Sequence, residues 1–400
     1  MSNSALPSSS VVNVRGTRYD VIVIGAGGVG SAAAYHCARD GKNVLLLEQF
    51  TVGHTRGSSH GGSRIIRYTH NKLEHADQMP ATFDLWFALE QESGAKLLTM
   101  TGGLYLAPEG EPWLTAAVEI LQQLNFPHRV LRGEEFQRAY PQFNVQSNWY
   151  GVEQEHSGIL AASRAVAVMV SQAVKHGATV RELSPVAGIA PEKDGVVVRM
   201  ESGETFHADR AIICAGPWAS RLLGKLVSDA LPLRVTPQQV AYFPVNDVAA
   251  FSKGRFPLFI TTHDPHFYGF PIHERAGTIK IALENLEGET NPDDPREVQQ
   301  DLLNRLSEVV GEYMRGVETT PVHVEPCLYT ETPTRDFIID RHPDFPQILF
   351  GAGFSGRGFK HTIAVGRLLA DLAQRDATDY SSPFWRESYR LVHFVPQTSQ

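Results

Sequence analysis

An apolar run closed by glycines, a second apolar run ending in an acidic residue, and an alternation of strand-like and helix-like segments predict an α/β fold. The expected form is a Rossmann-like unit into which a mixed-sheet α+β domain is inserted. The first run, Tyr19-Asp20-Val21-Ile22-Val23-Ile24, reads as a buried parallel strand because it does not alternate, and it enters Gly25-Ala26-Gly27-Gly28-Val29-Gly30. An alanine-rich helix follows over 31–40 until Gly41 stops it, and a second apolar strand over 43–47 ends at Glu48. These pieces make one β-α-β unit of nearly minimal length.

Further along, composition predicts helices over 83–91, 112–124 and 160–176, then a strand over 179–183. Strands over 195–200 and 204–209 form a hairpin around Ser202-Gly203, leading into an apolar strand over 208–216 that ends in glycine. Residues 256–260, 267–271 and 278–283 have strand character, and 298–314 is a long amphipathic helix. A strand over 348–351 and a helix over 362–374 close the pattern. No internal repeat, low-complexity tract or proline-rich linker interrupts it.

The 400 residues are 42% hydrophobic and 20% charged, which excludes global disorder and suits two or three domains. With 36 basic against 44 acidic residues the net charge is −8, so no concentrated basic surface for nucleic acid is expected. The three cysteines, Cys37, Cys214 and Cys327, have no CxxC spacing and point to a reducing compartment rather than a disulfide framework. Residues 1–16 read as a disordered lead-in without the charged and apolar regions of a signal peptide. No window is apolar enough for a membrane span, and Thr398-Ser399-Gln400 is not the peroxisomal tripeptide, so a soluble cytoplasmic protein is expected.

The glycine motif gains weight from its setting. Gly25 permits a tight turn, Gly27 lets backbone approach a pyrophosphate, and Gly30 allows close helix–strand packing. Gly28 lies at the helix start, whose free N–H groups face the phosphates. Glu48, 23 residues after Gly25, would accept hydrogen bonds from a ribose and disfavours a 2′-phosphate. The motif leaves FAD and NAD open. Gly57-Ser58-Ser59-His60-Gly61 formally matches a nucleophile elbow, yet it lacks the strand before and the helix after that such an elbow needs. Small residues there suit a loop around a planar cofactor, followed by Arg64 and Arg67 flanking an apolar pair. Their bland alternative is a solvated helix face. His263 and His266 are three apart across Pro265, which breaks a helix, and no third ligand suggests itself, so no metal is expected.

From about 19 to 379 the chain resembles the monomeric sarcosine oxidase and N-methyltryptophan oxidase family, within the D-amino-acid-oxidase-like flavoproteins. The resemblance rests on an ordered set: GAGGVG, HTRGSSHGGSRIIR, FYGFP, the Lys280 strand, PCLYTETP, DFIID and GAGFSGRGFK. It implies FAD as the cofactor, joined covalently through Cys327, and oxidation of secondary amines of N-methyl amino acids with oxygen reduced to hydrogen peroxide. It further implies that Arg67 and Lys360 hold a substrate carboxylate, that Arg64 lies beside the flavin, and that Tyr268 and Tyr329 line the substrate cavity. Lys280 matches the lysine held to activate oxygen; its bland alternative is a solvent-facing partner on a strand. Ser58 and Ser63 fall in the cofactor loop, and Gly353, Gly356 and Gly358 in the segment before the last helix, whose N–H groups favour an anionic flavin.

Three positions depart from the family pattern. Glu284 stands where sarcosine oxidases have histidine, as it does in fructosyl-amine oxidases; Arg357, expected among the substrate-binding residues, replaces another usual histidine, and His361 replaces an apolar residue. Glu284 either projects a negative charge into the cavity, repelling a second carboxylate, or pairs with Lys280 or another cation. The expected FAD-binding domain comprises 17–94, 156–229 and 325–385, and the substrate domain 95–155 and 230–324. The expected partners are a small amine or amino acid and O2, with no nucleic acid or membrane, in a monomer or weak dimer. Rival activities are a fructosyl-amine oxidase, a pipecolate or proline oxidase, a dehydrogenase using another acceptor, and a flavin-binding protein without catalysis.

Overall fold

The structure is a computed structural model that describes residues 18–224, 226–227, 231–376 and 378–394. The lead-in expected over 1–16 lies outside them. Among the described residues, strands form two eight-stranded sheets and one three-stranded sheet. The architecture is the expected one, a parallel-centred sheet beside a mixed sheet.

In the first sheet Tyr19–Ile24 lies between Val44–Leu47 and Thr205–Ile213, parallel to both, with Val21 opposite Val44 and Arg210. Thr179–Arg181 extends one side, and the antiparallel pair Gly195–Met200 and Val186–Glu192 extends the other. Ile348–Ala352 joins Thr205–Ile213 in parallel at Ala211 to Ile213. The inner strands are covered on both faces, which is why their sequences run apolar without alternation. One cover is the helix Gly28–Arg39, packed between Ala162–Lys175 and Thr362–Gln374.

That helix begins at Gly28, ahead of the expected residue 31. Gly27 is its extended N-cap, and Ser31 N–H already donates to Gly27 O at 2.9 Å. The start is glycine because side chains do not fit. A Cβ on Gly30 would stand 1.8 Å from Gly25 O, and Gly25, at φ +98°, would put one 2.4 Å from Cys214 O.

The second sheet runs His323–Glu331, Arg234–Pro244, Thr278–Leu283, Phe267–Phe270, Leu258–Thr261, Gly103–Pro108, Trp149–Gln154, Arg129–Arg132. It is antiparallel except where Leu258–Thr261 meets Gly103–Pro108. The strand His323–Glu331 crosses the boundary expected at 325, because its pairing with Arg234–Pro244 holds it in this sheet through Glu331. The helix Gln300–Tyr313 lays Leu306, Val309 and Val310 on a cluster containing Phe251, Phe256 and Phe259.

The small sheet joins Arg64–Arg67, Ser157–Leu160 and Leu98–Met100. The arginine pair therefore sits on a strand, not on a solvated helix face, and the helix expected from 160 starts at Ala162. No described helix is long and apolar enough to cross a membrane.

Candidate active site

A cleft opens beyond the carboxyl ends of Tyr19–Ile24 and Val44–Leu47, where ligands of open α/β sheets bind. Gly25, Gly27, Gly28, Glu48 and Ser58 line it from the N-terminal third, and Gly353, Gly356 and Gly358 from the C-terminal third. The residues fit a dinucleotide. A Cβ on Gly27 would meet nothing nearer than Ser59 Oγ at 3.6 Å, so that glycine leaves room for a ligand rather than for packing. Glu48 is buried, and its two oxygens accept from Ala26 N–H at 2.8 Å and Phe50 N–H at 2.9 Å. Those bonds fix the carboxylate at the cleft wall. Gly28 has a second duty: a Cβ there would meet Thr362 Cγ2 at 2.8 Å, so it also lets the last helix approach.

The C-terminal glycines are equally constrained. Gly353 and Gly356 have φ +66° and +68°, and a Cβ on Gly356 would meet the Tyr329 ring at 2.3 Å. A Cβ on Gly358 would meet Phe354 at 2.4 Å. Ser355, between them, is a non-glycine residue at φ +46°, buried, with its hydroxyl accepting from Thr332 N–H and donating to Gly353 O, each at 3.1 Å. Strain of this kind persists only where neighbours over-determine the backbone.

A second cavity of ≈ 400 Å³ adjoins the cleft, and Arg64, Tyr329, Gly356 and Phe359 line both. It gathers Arg67, Tyr268, Lys280, Glu284, Cys327, Arg357 and Lys360, residues separated by up to about 290 positions of sequence. Arg64 is held by three carbonyls, Ser63 O at 2.8 Å, Ser58 O at 3.1 Å and His60 O at 2.6 Å. Arg67 is buried, and its Nε and one terminal nitrogen have no partner; its guanidinium lies over the rings of Tyr105 and Trp113 at 5.6 and 5.2 Å. A buried guanidinium without an acceptor is an anion site in waiting. Lys360 Nζ donates only to Arg357 O, at 2.8 Å. Burial, then Arg67 and Arg357, hold its ammonium well below the usual lysine range.

Lys280 is 5% exposed, so it is no solvent-facing strand residue. Its Nζ donates to Ser63 Oγ and Glu274 Oε1, each at 3.0 Å. Burial lowers its pKa, and Glu274 pulls it back. Glu274 also bonds Ser63 Oγ and accepts from Tyr242 Oη at 2.9 Å, so it organises this corner. The sequence reading missed it, since nothing in Ile272-His273-Glu274 marks a site.

Glu284 lines the cavity and pairs with a cation, Arg335, through both carboxylate oxygens. Its partner is not Lys280. Arg335 was also missed; it sits at φ +61° and passes its own carbonyl to the Arg357 guanidinium. Tyr268 and Tyr329 face each other, Oη to Oη 3.4 Å, and burial pushes the Tyr268 phenol up to about 12. Cys327 is buried at the cavity edge; burial raises its thiol pKa, while Arg64, Lys280 and Arg296 favour the thiolate. Cys37 and Cys214 are buried apolar-core thiols.

A glycine-closed dinucleotide crevice opening onto a cavity of buried cations and tyrosines defines a cofactor-dependent oxidoreductase. The model of the family described as FAD dependent oxidoreductase (DAO) matches residues 20–372, and the chain belongs to that family. Within it the chain groups with the sarcosine oxidase-like amine oxidoreductases. Monomeric sarcosine oxidase of Bacillus sp. (strain NS-129) is 31% identical over 371 residues, covering 91% of this chain and 95% of that one. Peroxisomal sarcosine oxidase of Homo sapiens is 32% identical over 378 residues, covering 92% and 95%. The solved open form of NikD, an amino acid oxidase essential for nikkomycin biosynthesis, shares the fold with TM-score 0.80 at 24% identity, covering 92% of this chain and 97% of that one.

Proposed function

We propose that the protein oxidises secondary amines of the sarcosine type, N-methyl amino acids, to imines that water hydrolyses, with O2 reduced to H2O2. The observation that carries this reading is the buried, unpartnered Arg67 beside Lys360 in the cavity that adjoins the dinucleotide cleft. FAD, when bound, would supply the redox chemistry, two-electron oxidation at the carbon next to nitrogen coupled to reduction of oxygen. The chain supplies the rest. Gly25, Gly27, Gly28, Glu48, Ser58 and the 353–358 loop hold the dinucleotide, Gly30 lets the turn pack behind it, and Cys327 at the cavity edge attaches the flavin covalently. Arg67 and Lys360 bind the α-carboxylate and so orient the N-methyl group, while Tyr268 and Tyr329 wall the cavity. Lys280, kept in place by Glu274 and Ser63, presents a cation that favours electron transfer to oxygen.

The test is anaerobic flavin bleaching against sarcosine, N-methyl-tryptophan, pipecolate, proline and a fructosyl amino acid. Bleaching by sarcosine, with peroxide released on aeration, supports the reading. Bleaching only by the fructosyl compound would move the assignment to deglycation, and bleaching without oxygen uptake to a dehydrogenase. We also propose a monomer or weak dimer in the cytoplasm; the three free cysteines support the reducing compartment.

A further inference from the structure

The cavity holds more positive charge than one amino-acid carboxylate can balance. Among the described residues, Arg67, Arg357 and Lys360 line it with no carboxylate within ion-pair distance. The other lining cations are already matched: Lys280 by Glu274, Lys72 by Asp336 at 2.7 Å, and Arg335 by Glu284. Arg64 is matched by backbone carbonyls. Glu331, behind the wall, contacts Arg335 Nε at 3.5 Å, and Glu325, the other lining carboxylate, is engaged by His323 Nε2 at 3.1 Å and by Tyr242 Oη at 3.3 Å rather than by Arg67, Arg357 or Lys360. Three histidines packed beside Lys360 add no charge, because burial and the surrounding cations hold His70 and His361 well below the usual range and His75 at about 3.

An α-carboxylate accepts from two of the three cations, and Arg67 with Lys360 is the pair the proposed reading uses. Arg357 is left over. Its Nε is buried without a partner, and a terminal nitrogen is anchored on Arg335 O, which fixes the guanidinium at the cavity wall. Buried guanidinium groups keep their charge and need an anion or several acceptors. Glu284 does not serve, since Arg335 takes both of its oxygens. For the same reason Glu284 does not repel a second carboxylate.

We propose that Arg357 forms a second anion subsite and that the preferred substrates are dicarboxylic secondary amines, bearing a carboxylate on the side chain as well as on the α-carbon. This rests on the amine-oxidase reading above and specifies its substrate.

The test uses the FAD-loaded enzyme and two pairs of probes that differ by one carboxylate. N-methyl-aspartate and N-methyl-alanine are compared by anaerobic bleaching, and succinate and propionate by perturbation of the flavin spectrum. The dicarboxylate of each pair should be favoured by at least ~10-fold, the worth of one charge-assisted hydrogen bond. Arg357→Gln should bring both ratios close to one, and Arg357→Lys should keep a part of each. Equal ratios in the wild type, or unchanged ratios in Arg357→Gln, would overturn the subsite. If neither N-methyl compound nor sarcosine bleaches the flavin while succinate still binds in an Arg357-dependent way, the subsite stands and the amine-oxidase reading fails.

Discussion

Lys280 and Cys327 are the residues whose roles separate most cleanly. If Lys280 supplies the charge that oxygen needs, Lys280→Met should slow flavin reoxidation by at least ~100-fold, about 2.7 kcal/mol of barrier, and change anaerobic reduction far less. Equal slowing of both half-reactions would mean a structural role. The pH dependence follows from burial: the ammonium form is required, its pKa lies below 10.5, and reoxidation should therefore fall as pH rises through that lowered value. Lys280→Arg should move the fall to higher pH. Cys327→Ser should release FAD on acid precipitation, whereas the wild type should stay yellow; a colourless wild-type precipitate would rule out the covalent bond. Arg67→Gln should raise the apparent substrate constant roughly 10- to 100-fold by deleting a charge-assisted bond, as steady-state kinetics will read directly.

Among the elements, the first turn and helix separate two kinds of glycine. Gly30→Ala drives a methyl into the Gly25 carbonyl and should cost about 1–3 kcal/mol, visible as a lower unfolding temperature with or without FAD. Gly27→Ala meets only Ser59 Oγ, at the ordinary contact distance of 3.6 Å, so the apoprotein should unfold at the normal temperature while FAD affinity falls. Both glycines and Glu48 were legible in the sequence because the β-α-β signal is local. Period and turn chemistry likewise revealed the 195–209 hairpin and the helix that the structure shows as Pro112–Gln123. The Arg64–Arg67 strand was not legible: four residues carry no usable period, and its partner Ser157–Leu160 lies about 90 positions away. Arg335 escaped for a related reason, since its partner Glu284 lies 51 positions away, whereas Glu274, only six residues before Lys280, escaped because no pattern marks a loop carboxylate as the partner of a strand lysine. The resemblance located residues that match a motif, and these two match none.

At the scale of the whole molecule, the first sheet draws its strands from residues 19–47, 179–213 and 338–352. Ile348–Ala352 covers the outer edge of Thr205–Ile213 near its carboxyl end, and the loop after it supplies the second wall of the cleft. A chain stopped after Gln347 lacks both. It should be recovered insoluble and free of flavin, because an apolar edge is left open; a soluble, yellow truncation would contradict this topology.

The same arrangement sets a timetable for biosynthesis. Ile213 leaves the ribosome 139 residues before Ala352, an interval of roughly 7–28 s at ordinary translation speed. Throughout it the nascent chain carries an unpaired parallel edge that only its own later residues can cover. Loading of FAD should therefore wait for the 348–358 segment, and a nascent chain arrested before it should carry no flavin.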